Sequence, residues 1–297
     1  MKNYAYYSKL SAKTKVLNEF RKFFFLPFAE KFLLKKISGF KSSSFWSKVI
    51  PPEYLYPKNS WRPYERNGIR LKLDISNVVD HTKYYSFQDK GFENFVGKLK
   101  NHFTVLDIGG NIGITCLEIA KHVPDGKVMA FEPSPTNFKR LQENVELNNF
   151  KNITTVNIGL GDMPGAFKLS NVVQTNPGMK RILNAEEENF EYESIIIDTL
   201  ENQFKVLSIG EVHAMKIDVE GYEMKVLLSA AFILKLYKPM LFIELDDNNL
   251  KAQQSSAEQL VNYLKDYGYK VYNAHAPGKP LSDDFDYTNN HFDIICE

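Results

Sequence analysis

Cysteine is nearly absent from this 297-residue chain: Cys116 and Cys296 stand 180 positions apart, with no C-x-x-C and no Cys/His cluster around them. That excludes a disulfide framework and a zinc-finger type of site and favours a reducing interior. Each cysteine reads as a small buried hydrophobe. Long apolar runs are missing too, since none reaches the roughly 18–20 residues that span a bilayer. The start of the chain lacks the ordered basic, apolar and small-residue pattern of a secretory leader. The expectation is a cytoplasmic protein. Two phosphate-binding patterns are also wanting. No register supplies the G-x-G-x-x-G of a dinucleotide site, and no glycine-rich loop ends in G-K-S/T.

What is present begins with a lopsided charge. The net charge is +1, yet residues 1–48 hold eleven Lys/Arg and only two acids, Glu19 and Glu30, a local balance of +9. The remainder carries −8. The same 48 residues contain twelve aromatics, among them Phe23, Phe24, Phe25, Phe28, Phe32 and Trp46. Ser11 is placed to cap a helix with Val16, Leu17, Phe20 and Phe24 on one face. Pro27 suits the first turn of a second helix, which Gly39 would end. Such a segment packs its aromatic face on the domain behind it, or lies on an anionic membrane surface. Contact with nucleic acid is a third, weaker reading.

Three regions follow: a basic aromatic helical extension over 1–50, a linker and substrate-side cap over 51–100, and an α/β domain over 101–297. Pro51, Pro52, Pro57 and Pro63 mark the linker. Asn67-Gly68 ahead of Ile69, Leu71 and Leu73 reads as a hairpin. His81, Lys83, Tyr84 and Tyr85 are weak candidates for substrate contact, because residues ahead of the first core strand commonly cover the mouth of such a site.

From Thr104 onward strands and helices alternate, the pattern of a mostly parallel sheet. Thr104–Ile108 is an apolar strand that passes through Gly109-Gly110-Asn111-Ile112-Gly113 into a helix. Lys127–Phe131 ends in Glu132, with Ser134 and Pro135 opening the next helix. Asp162, Asp198, Asp218 and Glu244 end later apolar runs. Strand-end acids in an open α/β sheet are expected to converge on one crevice at its carboxyl edge. The polar insertion from Asn171 to about Glu193 is too long for a plain connector and is either disordered or a functional loop. Two further strands, Tyr269–Tyr272 and Phe292–Cys296, close the chain. A glycine loop ringed by acids suits a cationic, hydroxyl-rich ligand and repels a phosphate. Glu132 at the second strand tip is placed to accept a ribose diol.

Four blocks carry a resemblance. Asp107-Ile108-Gly109-Gly110-Asn111-Ile112-Gly113, Phe131-Glu132-Pro133, Met215 to Glu223 and Phe242-Ile243-Glu244 resemble, in order and spacing, the FkbM family of class I S-adenosylmethionine methyltransferases. The match spans about Val105 to Glu244, and its coarse fold reaches the C-terminus. The resemblance implies a Rossmann-like, mostly parallel sheet with an antiparallel last strand. It implies an O-methyltransferase that acts on a hydroxyl of a sugar, glycan, glycolipid or other small natural product. By similarity, Asp107, Gly109, Gly110, Asn111, Gly113, Glu132, Gly161 and Asp162 contact S-adenosylmethionine.

A hydroxyl acceptor needs a base or a metal. Asp218 and Glu244 are the candidates for catalysis, with Glu220 as a weak substrate contact beside His81 and Tyr84. Asp218, Glu244 and Asp247 also offer oxygen ligands for Mg²⁺. Carboxylates bonded to amides and hydroxyls explain the same residues, so the metal is the second reading. Nucleic-acid methylation is the first rival, although Asp218-Val219-Glu220-Gly221 stands where such enzymes usually carry an Asn/Asp-Pro-Pro-aromatic block. A membrane-attached, non-catalytic module is another.

Overall fold

A two-residue turn shows how local chemistry sets the first elements. Asn67 and Gly68 both take left-handed backbone, at φ 52° and 77°, as a type I′ hairpin requires. In the computed structural model, residues 10–37, 45–85, 89–171, 180–183 and 191–297 are described. The sequence-based helix end at Gly39 and most of the polar insertion lie outside them. The chain divides into two units, Met1–Gln88 with Asn171–Met179, and Asp89–Ser170 with Lys180–Glu297.

In the first unit, Ser11 accepts from the Thr14 amide and opens α1 (Ala12–Arg21). A 3-10 turn (Lys22–Phe25) leads to α2 (Pro27–Ile37) and α3 (Phe45–Val49). The hairpin follows, β1 (Trp61–Arg66) against β2 (Ile69–Asp74), and then α4 (Val78–Tyr84). Ile69, Leu71 and Leu73 are buried between exposed Arg70 and Lys72, the period-two pattern of a half-buried strand. Pro63 is not part of a linker. It sits inside β1 opposite Lys72, tolerated because a two-stranded ribbon leaves one edge of β1 without a ladder to feed.

Within the first unit the aromatic side chains of these helices are turned outward. Val16, Leu17, Phe20, Phe23, Phe28 and Phe32 are exposed, whereas Asn18, Ala29, Glu30, Leu33 and Ile37 are buried. Inward polar partners turn the helices this way. Asn18 donates to the Tyr54 hydroxyl at 3.1 Å, and Glu30 accepts from Arg62 at 2.8 Å and from the Tyr84 hydroxyl at 2.5 Å.

The second unit opens with α5 (Lys90–Val96), β3 (Thr104–Ile108), α6 (Ile114–His122), β4 (Lys127–Phe131), α7 (Pro135–Glu146) and β5 (Ile153–Val156). Four shorter strands follow: β6 (Gly159–Leu160), β7 (Gly165–Asn171), β8 (Lys180–Ile182) and β9 (Glu193–Asp198). The chain continues through α8 (Leu200–Val206), β10 (Ala214–Ile217), α9 (Glu223–Ser229), α10 (Ala231–Leu236) and β11 (Met240–Asp246). It ends with α11 (Asp247–Ala252), α12 (Ala257–Asp266), β12 (Val271–Asn273) and β13 (His291–Cys296). The helix start expected at Ser134 is present: Ser134 accepts from the Asn137 amide ahead of Pro135. Ser256 caps α12 by accepting from the Gln259 amide.

The large sheet runs β12-β13-β11-β10-β3-β4-β5. The four pairings from β11 to β5 are parallel, and β13 runs antiparallel to both β11 and β12. Numbered within the sheet, the order is 3-2-1-4-5-7-6, the Rossmann-like arrangement with an antiparallel last strand that the resemblance implies. The order reverses between β3 and β10, and ligand crevices form at such switch points. β10 is buried along its whole length, as a central parallel strand covered on both faces must be. The main core gathers Leu106, Ile108, Met215, Ile217, Leu241 and Ile243 with the flanking helices. Cys116 and Cys296 are buried and free.

A second sheet runs β6-β9-β7-β8. The described ends of the polar insertion are therefore strands. Among the described residues, no helix is long and apolar enough to cross a membrane.

Candidate active site at the sheet switch point

The loop after β3 is shaped by close backbone contact. The amides of Gly109 and Gly110 both donate to the Phe131 carbonyl, at 3.0 and 2.9 Å. Gly109 has φ +83°, and a Cβ there would lie 1.8 Å from the Asp218 carbonyl oxygen. Only glycine fits where the loop crosses the end of β10. Asn111 takes φ 47° and Gly113 φ 92°, so the left-handed tolerance that Asn offers is used.

Glu132 is buried and held by this loop. Its Oε2 accepts from the Asn111 amide at 2.8 Å and its Oε1 from the Ser134 amide at 2.9 Å. Burial pushes its carboxyl up to about 7, against the lowering effect of the two amides. Each oxygen keeps a second acceptor position.

Lys216 is the residue that sequence reasoning missed. It lies inside a strand whose apolar neighbours make it read as one more core position, yet it is buried and joins the two halves of the site. Its Nζ donates to the Gly109 carbonyl at 2.9 Å and reaches Asp218 Oδ2 at 3.2 Å. Asp107 Oδ1 stands 3.5 Å away, an ion-pair separation too long for a good hydrogen bond. Asp107 Oδ2 accepts from Thr115 Oγ1 at 2.7 Å, while Oδ1 is buried without a hydrogen-bond partner. Burial pulls the Lys216 ammonium down, but Asp218 and Asp107 outweigh it and hold the charge in place. Burial raises the Asp107 carboxyl, and Lys216 opposes the rise.

Beyond Lys216, the carboxylates of Asp218, Glu220 and Glu244 come within 4.8 Å of one another. Their spacing would hold a cation, and Lys216 and His291 already bring positive charge beside them. Asp218 pushes Glu244 up to about 8, with burial second. Burial, then Glu244 and Asp218, lifts Glu220 to about 9. His291 Nε2 lies 3.0 Å from Glu244 Oε1, and that hydrogen bond leads the rise of the imidazole to about 9. Nothing local in the sequence marks His291. It enters through the antiparallel pairing that sets β13 beside β11.

Several sequence-based assignments need correction. Asp247 does not join the acidic group. Its carboxylate is consumed by the amides of Ala257 and Asn289, each at 3.1 Å, and by Lys251 at 2.6 Å. The strand-end acids do not all converge either. Asp198 ends a strand of the smaller sheet and binds Gln203, Asn202 and the Thr199 amide, so it closes the entry to α8. Asp162 follows β6 of the same sheet and is exposed. Gly161 is buried where a Cβ would press on Ile197 and Tyr222. His81 and Tyr84 belong to the first unit and are committed there. His81 Nε2 lies 2.7 Å from the Pro51 carbonyl, burial holds its imidazole down at about 4, and Tyr84 donates to Glu30. A cleft of about 720 Å³ in that unit is lined by Glu30, Arg62, Tyr64 and Arg66 among others, with neither a glycine loop nor a group of carboxylates.

The family model described as the methyltransferase FkbM domain matches residues 107–271, more than half of the chain. The chain belongs to the FkbM methyltransferase domain family. Methyltransferase 1 of Beauveria bassiana (strain ARSEF 2860) is 30% identical over 163 residues, 48% of this chain and 63% of that protein. Methyltransferase sdnD of Sordaria araneosa is 26% identical over 162 residues, 44% of this chain and 62% of that protein. The match thus spans less than two thirds of either relative. The crystal structure of a methyltransferase FkbM from Methylobacillus flagellatus KT aligns at TM-score 0.44 and 16% identity, over 67% of this chain and 44% of that one. In this FkbM chain the matched range opens on Asp107 and takes in the glycine loop, Glu132, Lys216, Asp218, Glu220 and Glu244. His291 and the first unit fall outside it.

The raised carboxyls set a pH signature. Glu244 and Glu220 hold protons in the folded state up to about 8 and 9, whereas the unfolded chain releases them near about 4.3. His291 likewise keeps its proton up to about 9, against about 6.5 when unfolded. In both cases the folded state binds more protons, so stability falls as pH rises from about 5 to about 9. Thermal unfolding across that range checks this: the midpoint is expected to drop steadily, and less so in Glu244→Gln. A midpoint that rises between pH 6 and 9 would contradict the assignment.

Proposed function

We propose that this chain is an S-adenosylmethionine-dependent O-methyltransferase that methylates a hydroxyl of a sugar, a glycan or a related natural product. The observation that carries the reading is the reach of Lys216, whose Nζ contacts the Gly109 carbonyl and Asp218 together. One side chain thereby ties a glycine loop of the kind that cradles this cofactor to a group of carboxylates able to take a proton.

The residues fit the cofactor's chemistry. Glu132 offers two acceptor positions to a vicinal diol, and the acids around the loop suit a sulfonium and an ammonium better than a phosphate. Asp107, Gly109, Gly110, Asn111 and Gly113 form the cradle. When bound, S-adenosylmethionine supplies an electrophilic methyl group. The acceptor hydroxyl must lose its proton as its oxygen is methylated; Asp218 is placed to receive it, and Glu244 can do so where it is ionised, above about pH 8. Lys216 holds Asp218 through the 3.2 Å ion pair, and His291 orients Glu244 at 3.0 Å. Glu220, fixed at φ 53° and bonded to Asn249 at 2.9 Å, faces the same group as a contact for a further hydroxyl. The concentration of acid here disfavours a nucleic-acid backbone.

Transfer of labelled methyl to a panel of sugars, glycans and RNA, with and without EDTA, tests the reading. Label is expected in hydroxyl acceptors, and Asp218→Asn should lower the rate by about 10²- to 10⁴-fold. Label confined to RNA would overturn the acceptor class. Loss of activity in EDTA would reassign Asp218, Glu220 and Glu244 as metal ligands.

A further inference from the structure

The first unit exposes an apolar ridge for which methyl transfer has no use. Phe20 is 73% exposed, Phe28 65%, Val16 59% and Phe23 53%. Val16 and Phe20 share one face of α1 at the i, i+4 spacing, and Phe23 lies in the 3-10 turn that follows. The Phe23 and Phe28 rings meet edge to face with centroids 5.8 Å apart. That contact carries the ridge from α1 across the 3-10 turn onto α2, where Phe32 continues it.

The ridge is held outward by the groups that face inward. Asn18 is fully buried on the Tyr54 hydroxyl, and Glu30 is buried on Arg62 and Tyr84. Rotating either helix to hide its phenylalanines would strand these polar groups, so the exposure is built in. An exposed apolar surface of this kind marks an interaction site. Lys13, Lys31, Lys35 and Lys36 are exposed along the same helices. The two acids of the segment do little to offset them: Glu30 points inward and Glu19 is paired with Lys22 at 2.6 Å.

We propose that α1 and α2 dock the first unit on an anionic lipid surface, with the phenylalanine ridge in the interfacial layer and the lysines among the headgroups. An element with aromatics on one face and lysines on its flanks lies in the membrane plane and is drawn to negative lipid. The charge selects this occupant over the others. A second copy of the chain would set one +9 segment against another. A nucleic acid would satisfy the lysines, but its phosphates offer no apolar medium for Val16 and the phenylalanine edges.

Co-sedimentation of the full-length chain with vesicles is the test. Vesicles of phosphatidylcholine alone are compared with vesicles containing about one-third phosphatidylserine. Partitioning is expected to be about tenfold stronger on the anionic vesicles and to weaken with added salt. Phe20→Ser combined with Phe28→Ser, and separately Lys31→Glu combined with Lys35→Glu, should each reduce it by about tenfold. These positions are exposed, so the thermal midpoint should stay where it is. Bromine-labelled lipid gives a readout that needs no variant, because Trp46, whose ring meets Phe32 at 5.6 Å, should be quenched on binding. Failure to pellet with anionic vesicles, equal pelleting of the phenylalanine variant, RNA binding without vesicle binding, or a dimer that the phenylalanine variant abolishes would each overturn the proposal.

Discussion

Gly109→Ala should unfold more readily than the wild type by about 3 kcal/mol or more and should lose cofactor binding altogether. Two costs combine. Alanine at φ +83° is strained by about 1–2 kcal/mol. The added methyl would also lie 1.8 Å from the Asp218 carbonyl, a clash with backbone that no rotamer change relieves. The loop must lift from β10, which separates Gly109 from Lys216 and moves the Asn111 amide away from Glu132. The neighbouring glycines provide internal controls. A Cβ at Gly113 meets Leu141 at an ordinary 3.4 Å, so its cost is the backbone strain of about 1–2 kcal/mol. At Gly110 the nearest atom is the far end of the Leu141 side chain, at 3.0 Å, and about 1 kcal/mol is expected. Urea unfolding of the three variants, ordered 109, 113, 110 from least to most stable, checks the series.

The second large effect concerns Lys216. Replacing it by methionine keeps much of the volume but leaves Asp107 buried as a carboxylate without its cation. Removing one partner of a buried pair costs about 3–5 kcal/mol. The sign with pH follows from Asp107, which burial already pushes up and which Lys216 pulls back. Without the lysine its pKa rises further, so folding takes up a proton that the unfolded chain releases, and the deficit grows as pH rises above the unfolded value of about 3.9. Lys216→Met should therefore be closest to the wild type in mild acid and furthest from it near pH 8. Urea midpoints at pH 5.5 and pH 8 measure the difference. Equal deficits at both would mean that Asp107 does not depend on the lysine.

Most of what positions the site could be read locally. The apolar run at Thr104–Ile108 followed by three glycines, Ser134 ahead of Pro135, and Asn67-Gly68 each act within a few residues, through backbone sterics and cap hydrogen bonds. They appear in the structure where sequence placed them. Features that depend on distant partners were not legible. The phenylalanines of α1 and α2 have the periodicity of a core face, and only Tyr54, Arg62 and Tyr84 explain why Asn18 and Glu30 are buried instead. Lys216 is indistinguishable in sequence from a stray charge in a strand, and its role comes from Asp107, a strand away. Asp198 and Asp247 look like site acids until the amides they accept from are in view. His291 reaches Glu244 because β13 turns back antiparallel, a topological fact that no motif at His291 encodes.

Calorimetric titration with S-adenosylhomocysteine, on the wild type and on Glu132→Ala, bears most directly on the claim that the glycine loop and Glu132 hold this cofactor. Saturable one-site binding by the wild type, weakened at least about 100-fold in a Glu132→Ala protein that keeps its fold, is the predicted result; a bidentate carboxylate contact is worth about 3 kcal/mol on this scale. No heat with the folded wild type, or equal affinity in the two proteins, would contradict it.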